Sequence, residues 1–148
     1  MPLVYGPVPS RRLGYSLGIS PIPSKTCNYS CIYCQLGPTT NYTNTPKEFY
    51  PIERILSQIE NAIGQSRLPI DYITLGGDGE PTLYNRIGEI IKWIRDTYGN
   101  KYRIAVLTNG SRLYCEDVQE ALMNVDVVLP SLDAINQEMF VQINRPYK

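Results

Sequence analysis

Hydrophobic residues recur in two alternating patterns along most of the chain. Short apolar runs at residues 70–75, 102–107 and 125–132 have the length and residue types of buried strands. Other apolar residues recur three or four positions apart, which is typical of one face of a helix. The two longest stripes consist of Ile52, Ile55, Leu56, Ile59 and Ile63, and of Ile87, Ile90, Ile91, Ile94 and Tyr98 before Gly99.

Three weaker signals extend this alternation. Residues 16–22 predict a short first strand that ends at one of two prolines. A shorter helix is predicted over about residues 114–123. Asn136 has the residue type of a helix N-cap, which predicts a last helix bearing Met139, Phe140 and Ile143.

Strand followed by helix, repeated along the chain, predicts an α/β fold. Parallel neighbouring strands need a crossover connection, and helices of this length supply one, so the sheet should be parallel. We find no repeat and no linker, and treat residues 1–148 as one domain. Residues 27–50 contain few periodic apolar positions and read as a long loop, a kind of segment that is usually functional in compact domains.

Clusters rich in cysteine, glycine or hydroxyl residues follow the predicted strands. In strand order they are residues 27–34, 76–81, 108–110 and 131–133. The C-terminal ends of parallel strands meet at one edge of a sheet, and active residues of such folds lie there. We therefore predict that these clusters together form an active site.

Composition narrows the possible chemistry. The chain contains no histidine, which removes the commonest general base and the commonest zinc ligand. Its 43% apolar and 19% charged residues favour a globular domain over a disordered one. No apolar run approaches the roughly 20 residues of a membrane span, and the N-terminus does not resemble a signal peptide. We expect a cytoplasmic protein with no membrane partner and with reduced thiols.

Charge is balanced overall but not along the chain. Lysine and arginine number 14, and so do aspartate and glutamate. Up to Lys47, however, the basic residues Arg11, Arg12, Lys25 and Lys47 occur with no acidic residue. We expect a basic face near a negatively charged ligand or cluster. A nucleic-acid surface is the weaker alternative, because such domains usually carry a clear positive excess.

The cysteine triplet carries the most specific chemical signal. Cys27, Cys31 and Cys34 form a C-x3-C-x2-C pattern within the predicted loop. Three thiolates leave one position of a metal centre unfilled, so in an iron–sulfur cluster one iron stays open for another ligand. Zinc would need a fourth ligand, from Cys115 or a carboxylate. The remaining alternative is packing as small apolar side chains, which we favour for Cys115 alone.

The segment 27–34 resembles the C-x3-C-x-aromatic-C motif of the radical S-adenosylmethionine superfamily. Residues 6–18 and 79–83 resemble the branch that includes 4-demethylwyosine synthase, which acts on tRNA, and its uncharacterised Fe–S oxidoreductase relatives. The resemblance implies a partial barrel of six βα units. Four predicted strands correspond to about four of those units, so we expect a truncated partial (βα) barrel with a parallel sheet, the N-terminal part of that core.

The resemblance also implies roles for individual residues. Cys27, Cys31 and Cys34 would bind three irons of a [4Fe–4S] cluster, and S-adenosylmethionine would bind the fourth through its amino and carboxylate groups. Tyr33 would lie near the adenine. Further cofactor contacts would come from Gly77, Asp78, Gly79, Glu80, Thr108, Asn109, Ser131 and Asp133. Asp78 departs from the uninterrupted Gly-Gly-Glu of many relatives.

The implied activity is a radical reaction. A reduced cluster passes one electron to S-adenosylmethionine, whose carbon–sulfur bond breaks homolytically, and the 5′-deoxyadenosyl radical abstracts a hydrogen from an unknown substrate. A flavodoxin or ferredoxin would donate the electron. A tRNA substrate is less favoured, since 4-demethylwyosine synthase has a second cysteine cluster and this chain has none. The alternatives are a non-catalytic iron–sulfur electron-transfer protein and a zinc-stabilised RNA-binding module.

Overall fold

The structure is a computed structural model that describes residues 2–147. Its elements alternate much as the hydrophobic pattern predicts. In chain order they are β1 (Val4–Ser10), β2 (Gly14–Ile19), β3 (Thr26–Cys27), β4 (Asn41–Tyr42), α1 (Ile52–Gln65), β5 (Tyr72–Leu75), a 3-10 helix (Pro81–Leu83), α2 (Ile87–Tyr98), β6 (Arg103–Thr108), α3 (Glu116–Leu122), β7 (Val127–Pro130) and α4 (Gln137–Asn144).

The main sheet has the strand order β1-β2-β5-β6-β7. The last four of these strands are parallel, while β1 runs antiparallel to β2. The predicted α/β fold is therefore confirmed, and the predicted parallel sheet is mostly so, with β1 as the antiparallel exception. The sheet is open between β1 and β7, and closure toward a barrel stays a prediction. Strands β3 and β4 form a separate parallel pair in the loop region.

The antiparallel strand β1 was not predicted. Pro7 and Pro9 have no backbone N–H to donate to a neighbouring strand, so the sequence of this segment does not indicate a strand. An edge strand tolerates them, and the pairing with β2 is irregular between Tyr5 and Val8. The first predicted strand, residues 16–22, is shifted in the structure to Gly14–Ile19.

Helices α1 and α2 bury their isoleucine stripes against one face of the sheet. The fully buried side chains of this core include Ile55, Ile59, Ile73, Leu75, Ile90, Ile91, Ile94 and Ile104. Each contributes about 2 kcal/mol by leaving water. The opposite face carries a smaller apolar cluster around Leu13, Tyr72 and Ala105, and on it the hydroxyls of Ser16 and Thr74 lie 2.6 Å apart. The main hydrophobic core thus lies on the face of the sheet covered by α1 and α2, and the opposite face leaves open space near the C-terminal ends of the strands.

The predicted helix ends agree closely with the structure. Helix α2 stops at Gly99, whose φ of 58° lies in the left-handed region that favours glycine. Asn136 caps α4, since its side-chain oxygen accepts from the Met139 N–H at 2.9 Å. Helix α3 is slightly shorter than the predicted 114–123. Among residues 2–147, no helix is long and apolar enough to cross a membrane.

The C-terminal end of α4 is fastened to the loop that carries the cysteines. The Ser30 N–H donates to the Asn144 carbonyl at 3.0 Å, and the Ile32 N–H donates to the Ile143 carbonyl at 2.9 Å. Just beyond the helix, the Tyr147 N–H donates to the Asn28 carbonyl at 2.8 Å. These contacts hold a loop without regular structure of its own in a defined place.

Asp126, which directly precedes β7, forms hydrogen bonds to β6 and to α2. Substituting it therefore tests how the helical layer is attached to the sheet. One of its carboxylate oxygens, Oδ2, accepts from the Ile104 N–H of β6 and from the Arg95 guanidinium of α2, each at 2.6 Å. Asp126→Ala should lower the free energy of unfolding by about 1–3 kcal/mol, because both donors lose their partner. The exposed Lys92–Asp96 pair gives a matched control, and Asp96→Ala should cost about 0.5 kcal/mol or less. Equal losses in urea denaturation would contradict this account.

The same carboxyl group should make stability depend on pH. Burial raises the pKa of Asp126, but the hydrogen bonds from Ile104 and Arg95 and the charge of Arg95 outweigh it and bring the pKa below the ordinary 3.8. The folded chain then binds this proton more weakly than the unfolded chain. The stabilisation is present above that ordinary value and is lost as pH falls through the folded pKa. Asp126→Asn should lose less stability than the parent between about pH 5 and pH 3, measured by urea denaturation at both pH values.

Candidate cofactor site

A cavity of about 900 Å³ opens at the C-terminal ends of the parallel strands. Its walls come from the cysteine loop, from the turn after β5, and from the ends of β6 and β7. All of the residues predicted to bind metal or cofactor line it: Cys27, Cys31, Tyr33, Cys34, Gly77, Asp78, Gly79, Glu80, Thr108, Asn109, Ser131 and Asp133. The clusters that follow the strands thus meet in one place.

The three cysteines of the loop are free thiols, each partly buried. Cys27 Sγ accepts from the Tyr29 N–H at 3.4 Å and from the Asn109 side-chain amide at 3.6 Å. Cys31 Sγ accepts from the Asn144 amide at 3.4 Å. Burial raises the pKa of Cys27 to about 11. A metal bound at this sulfur would therefore have to displace a proton at neutral pH.

The donor set fits a cluster better than a single ion. Within residues 2–147, no three cysteine or carboxylate side chains converge closely enough to hold one metal ion. A [4Fe–4S] cluster also needs its three cysteines around one centre, but their sulfurs need not meet at a single point, because each binds a different iron. Cys115, the possible fourth ligand for zinc, caps α3 and is not part of the cavity wall.

The glycine segment after β5 packs along the residues that precede Cys27. A side chain at Gly79 would overlap the Thr26 carbonyl, and a Cβ at Gly77, whose φ is 122°, would lie 2.7 Å from the Tyr5 hydroxyl. The Asp78 carbonyl accepts from the Lys25 N–H at 2.7 Å. Glycine is therefore required at these two positions by close packing against β1 and β3, whether or not a ligand is bound.

Glu80 lies beneath the cavity with only 1% of its surface exposed. Its oxygen Oε1 accepts from the Thr82 N–H at 3.1 Å and from the hydroxyls of Thr82 and Thr108 at 2.6 and 2.7 Å, while Oε2 accepts from the Asn109 N–H at 2.7 Å. Burial raises the pKa of this carboxyl, and the four hydrogen bonds oppose that effect. The carboxylate joins the ends of β5 and β6.

A hydrogen-bond chain crosses the other side of the site. The Tyr33 hydroxyl donates to Asp133 Oδ2 at 2.5 Å, and the Asn144 amide donates to the same oxygen at 2.6 Å. Asn144 is 3% exposed and also reaches Cys31. The sequence analysis missed Asn144, because it lies at the end of α4 with no motif around it.

Three of the four basic residues in the acid-free first 47 positions line the same cavity. Arg11 and Arg12 come from the turn between β1 and β2, and Lys25 precedes the cysteine loop. The fourth, Lys47, lies instead over the Phe49 ring, 5.0 Å from its centroid. The basic segment of the sequence thus contributes cations to the cavity wall.

The sequence of this chain is similar to those of several curated proteins. The chain is 43% identical over 149 residues to a UPF0026 protein of Methanocaldococcus jannaschii, covering 100% of this chain and 46% of that protein. A UPF0026 protein of Helicobacter pylori is 42% identical over 148 residues, covering 99% of the chain and 47% of that protein. The chain therefore spans about half the length of these curated relatives.

A more distant relative has a named activity. The GTP 3′,8-cyclase of Vibrio cholerae is 32% identical over 123 residues, which cover 79% of this chain and 34% of the cyclase. The family model of the radical S-adenosylmethionine superfamily matches residues 22–148, from the end of β2 to the C-terminus. The chain therefore belongs to the radical S-adenosylmethionine superfamily.

Proposed function

We propose that Cys27, Cys31 and Cys34 hold a [4Fe–4S] cluster whose open iron binds S-adenosylmethionine, within a radical enzyme. The observation that carries this proposal is the presence of three free thiols in one cavity with the ends of the parallel strands. Membership of the superfamily supports both cofactors in general terms. The similarity of the chain to a GTP 3′,8-cyclase supports an enzyme rather than an electron carrier.

The chain's own residues would orient the cofactors. Amides of Asn109 and Asn144 already donate to Cys27 and Cys31, and they would hold those sulfurs in position. The segment from Gly77 to Gly79 lies on the cavity wall, where its backbone carbonyls or the Asp78 carboxylate would accept from the cofactor's ammonium group. The buried carboxylate of Glu80 would keep this segment aligned with β6.

The remaining cavity residues would define the rest of the cofactor pocket. The Tyr33 ring, held through Asp133, would pack near the adenine. Thr108 and Ser131, at the ends of β6 and β7, would contact the ribose or carboxylate. When bound, the cluster and S-adenosylmethionine supply reductive cleavage of a carbon–sulfur bond to a 5′-deoxyadenosyl radical. The cavity walls would shield that chemistry from water.

The substrate and partners follow from the same proposal. In a longer protein, further βα units would continue the sheet beyond β7 and complete the partial barrel. A flavodoxin or ferredoxin in the cytoplasm would reduce the cluster. Resemblance to 4-demethylwyosine synthase suggests tRNA, but the zero formal charge favours a small molecule. A zinc-stabilised module has no support from Cys115, which stands outside the cavity.

Removing one proposed ligand should abolish both cluster binding and cofactor cleavage. After anaerobic reconstitution, the parent chain should contain about four irons and as many acid-labile sulfides. Cys31→Ala should lose most of this iron, because two thiolates cannot retain the cluster. With dithionite and S-adenosylmethionine, the parent should form 5′-deoxyadenosine and Cys31→Ala should not.

Cys115→Ala serves as the matched control, since it removes a partly buried thiol that lies outside the cavity. It should retain iron and 5′-deoxyadenosine formation within about twofold of the parent. Equal losses in the two variants would refute the ligand assignment. Binding of zinc and no iron by the parent would refute the cluster itself.

A further inference from the structure

We propose that Arg11, Arg12 and Lys25 form a subsite for the phosphate group of a small-molecule substrate. This inference rests on the proposed function, whose substrate it assigns to a chemical class. All three cations lie on the wall of the cavity that contains the cysteines. The two arginines are exposed and Lys25 is half-buried, so their charged groups can reach a ligand that enters from solvent.

The turn that carries the arginines is anchored on both sides. Leu13, only 6% exposed, packs with Tyr72 and Ala105 on the sheet face opposite α1 and α2. The Leu13 N–H donates to the Ser10 hydroxyl at 3.3 Å, and the Tyr15 N–H donates to Asp71 at 2.7 Å. This arrangement presents Arg11 and Arg12 from a fixed backbone, which reduces the entropy lost when a ligand binds.

These cations form no ion pair with any residue that the structure describes. Among residues 2–147, no carboxylate lies within 4.0 Å of Arg11, Arg12 or Lys25. The cavity wall also contains three acids, of which Glu80 and Asp133 already accept hydrogen bonds from protein donors. The third, Asp78, also lines the wall and forms no ion pair with these cations.

A phosphate suits this arrangement better than the other anions at hand. Two guanidinium groups can bind one phosphate through paired hydrogen bonds, and lysine adds a point charge. S-adenosylmethionine contains no phosphate, so a phosphate bound here would belong to another molecule. An extended nucleic acid needs many more contacts than three cations supply, and the chain has no positive excess. A cavity of this volume is typical of small ligands.

Binding of inorganic pyrophosphate, measured by calorimetry, tests this subsite. The double variant Arg11→Gln/Arg12→Gln should weaken binding at least about tenfold, because charge-assisted hydrogen bonds are lost. Arg67→Gln is the matched control: Arg67 is also exposed and has no described ion pair, but it lies outside the cavity. It should leave the dissociation constant within about twofold.

Each outcome decides the inference. Failure of the parent to bind pyrophosphate, or equal weakening by Arg67→Gln, would overturn it. Tighter binding of a 20-nucleotide RNA through the same arginines would overturn it in favour of a nucleic-acid surface. Iron is measured on the same samples. A chain that binds pyrophosphate through the arginines but no iron would retain the subsite while the proposed function fails.

A separate observation supports a second inference: we infer that Asn144 is a positioning residue that raises the reduction potential of the proposed cluster. Its amide nitrogen donates to Cys31 Sγ at 3.4 Å and to Asp133 Oδ2 at 2.6 Å. The opposite amide orientation would set its oxygen against the carboxylate, so Asp133 directs the N–H toward the sulfur. Hydrogen bonds to cluster sulfurs are among the factors that set reduction potential.

The burial of Asn144 strengthens this assignment. The side chain is 3% exposed, and its oxygen has no hydrogen-bond partner within residues 2–147. A buried amide oxygen without a hydrogen-bond partner lowers the stability of the fold. The contribution of Asn144 at this position is therefore its two N–H hydrogen bonds. The donor lies 113 positions from its sulfur acceptor in the chain and comes to it only through the packing of α4.

The midpoint potential of the reconstituted cluster, measured by a titration followed by electron paramagnetic resonance, tests Asn144. Asn144→Ala and Asn144→Leu, neither of which can donate to Cys31 Sγ, should both shift the potential to more negative values. The exposed Gln142→Ala on the same helix is the control and should not shift it. An unchanged potential in either Asn144 variant would refute this role. A parent chain without iron would remove both this role and the proposed function.

Discussion

A single buried carboxylate connects the central strands to the cysteine loop. Glu80 receives donors from the turn after β5 and from the end of β6, and Asn109, one of those donors, reaches onward to Cys27 and Asn28. Cys27 is therefore positioned by a chain of hydrogen bonds that begins at Glu80, a residue nearly inaccessible to solvent. In a low-dielectric interior, such a network is rigid only if every member is satisfied, and four donors satisfy this carboxylate.

Much of the fold could be predicted because its core obeys simple periodicities. The stripe beginning at Ile52 is the buried side of α1, and the apolar run ending at Leu75 is a strand buried along its whole length. Strand β1 could not be predicted, since its prolines are permitted only by its position at an edge. That position depends on the pairing of β2 with β5, which local sequence does not encode. Hydrophobic periodicity likewise cannot predict whether the sheet closes into a barrel.

The candidate site was predictable to the extent that it follows strand ends. Residues such as Cys27 and Thr108 lie together because parallel strands finish at a common edge. Contacts made by side chains across the fold were not predictable. Glu80, predicted to contact the cofactor, lies on the cavity wall and also accepts hydrogen bonds from protein groups, a role that no local pattern indicates, and nothing in the sequence points to Asn144. Tertiary packing alone decides which donors face these groups.

The fastening of α4 to the cysteine loop has a consequence for the order of events in folding. Residues 28–32 find their long-range backbone partners at residues 143–147, more than a hundred positions later. Closing a loop of this length is slow and entropically costly. The contacts that offset this cost form only when both segments have been synthesised. The cysteines are synthesised early but cannot adopt this geometry until α4 has left the ribosome. A metal centre at these thiols would therefore be held in this geometry only once α4 has been synthesised.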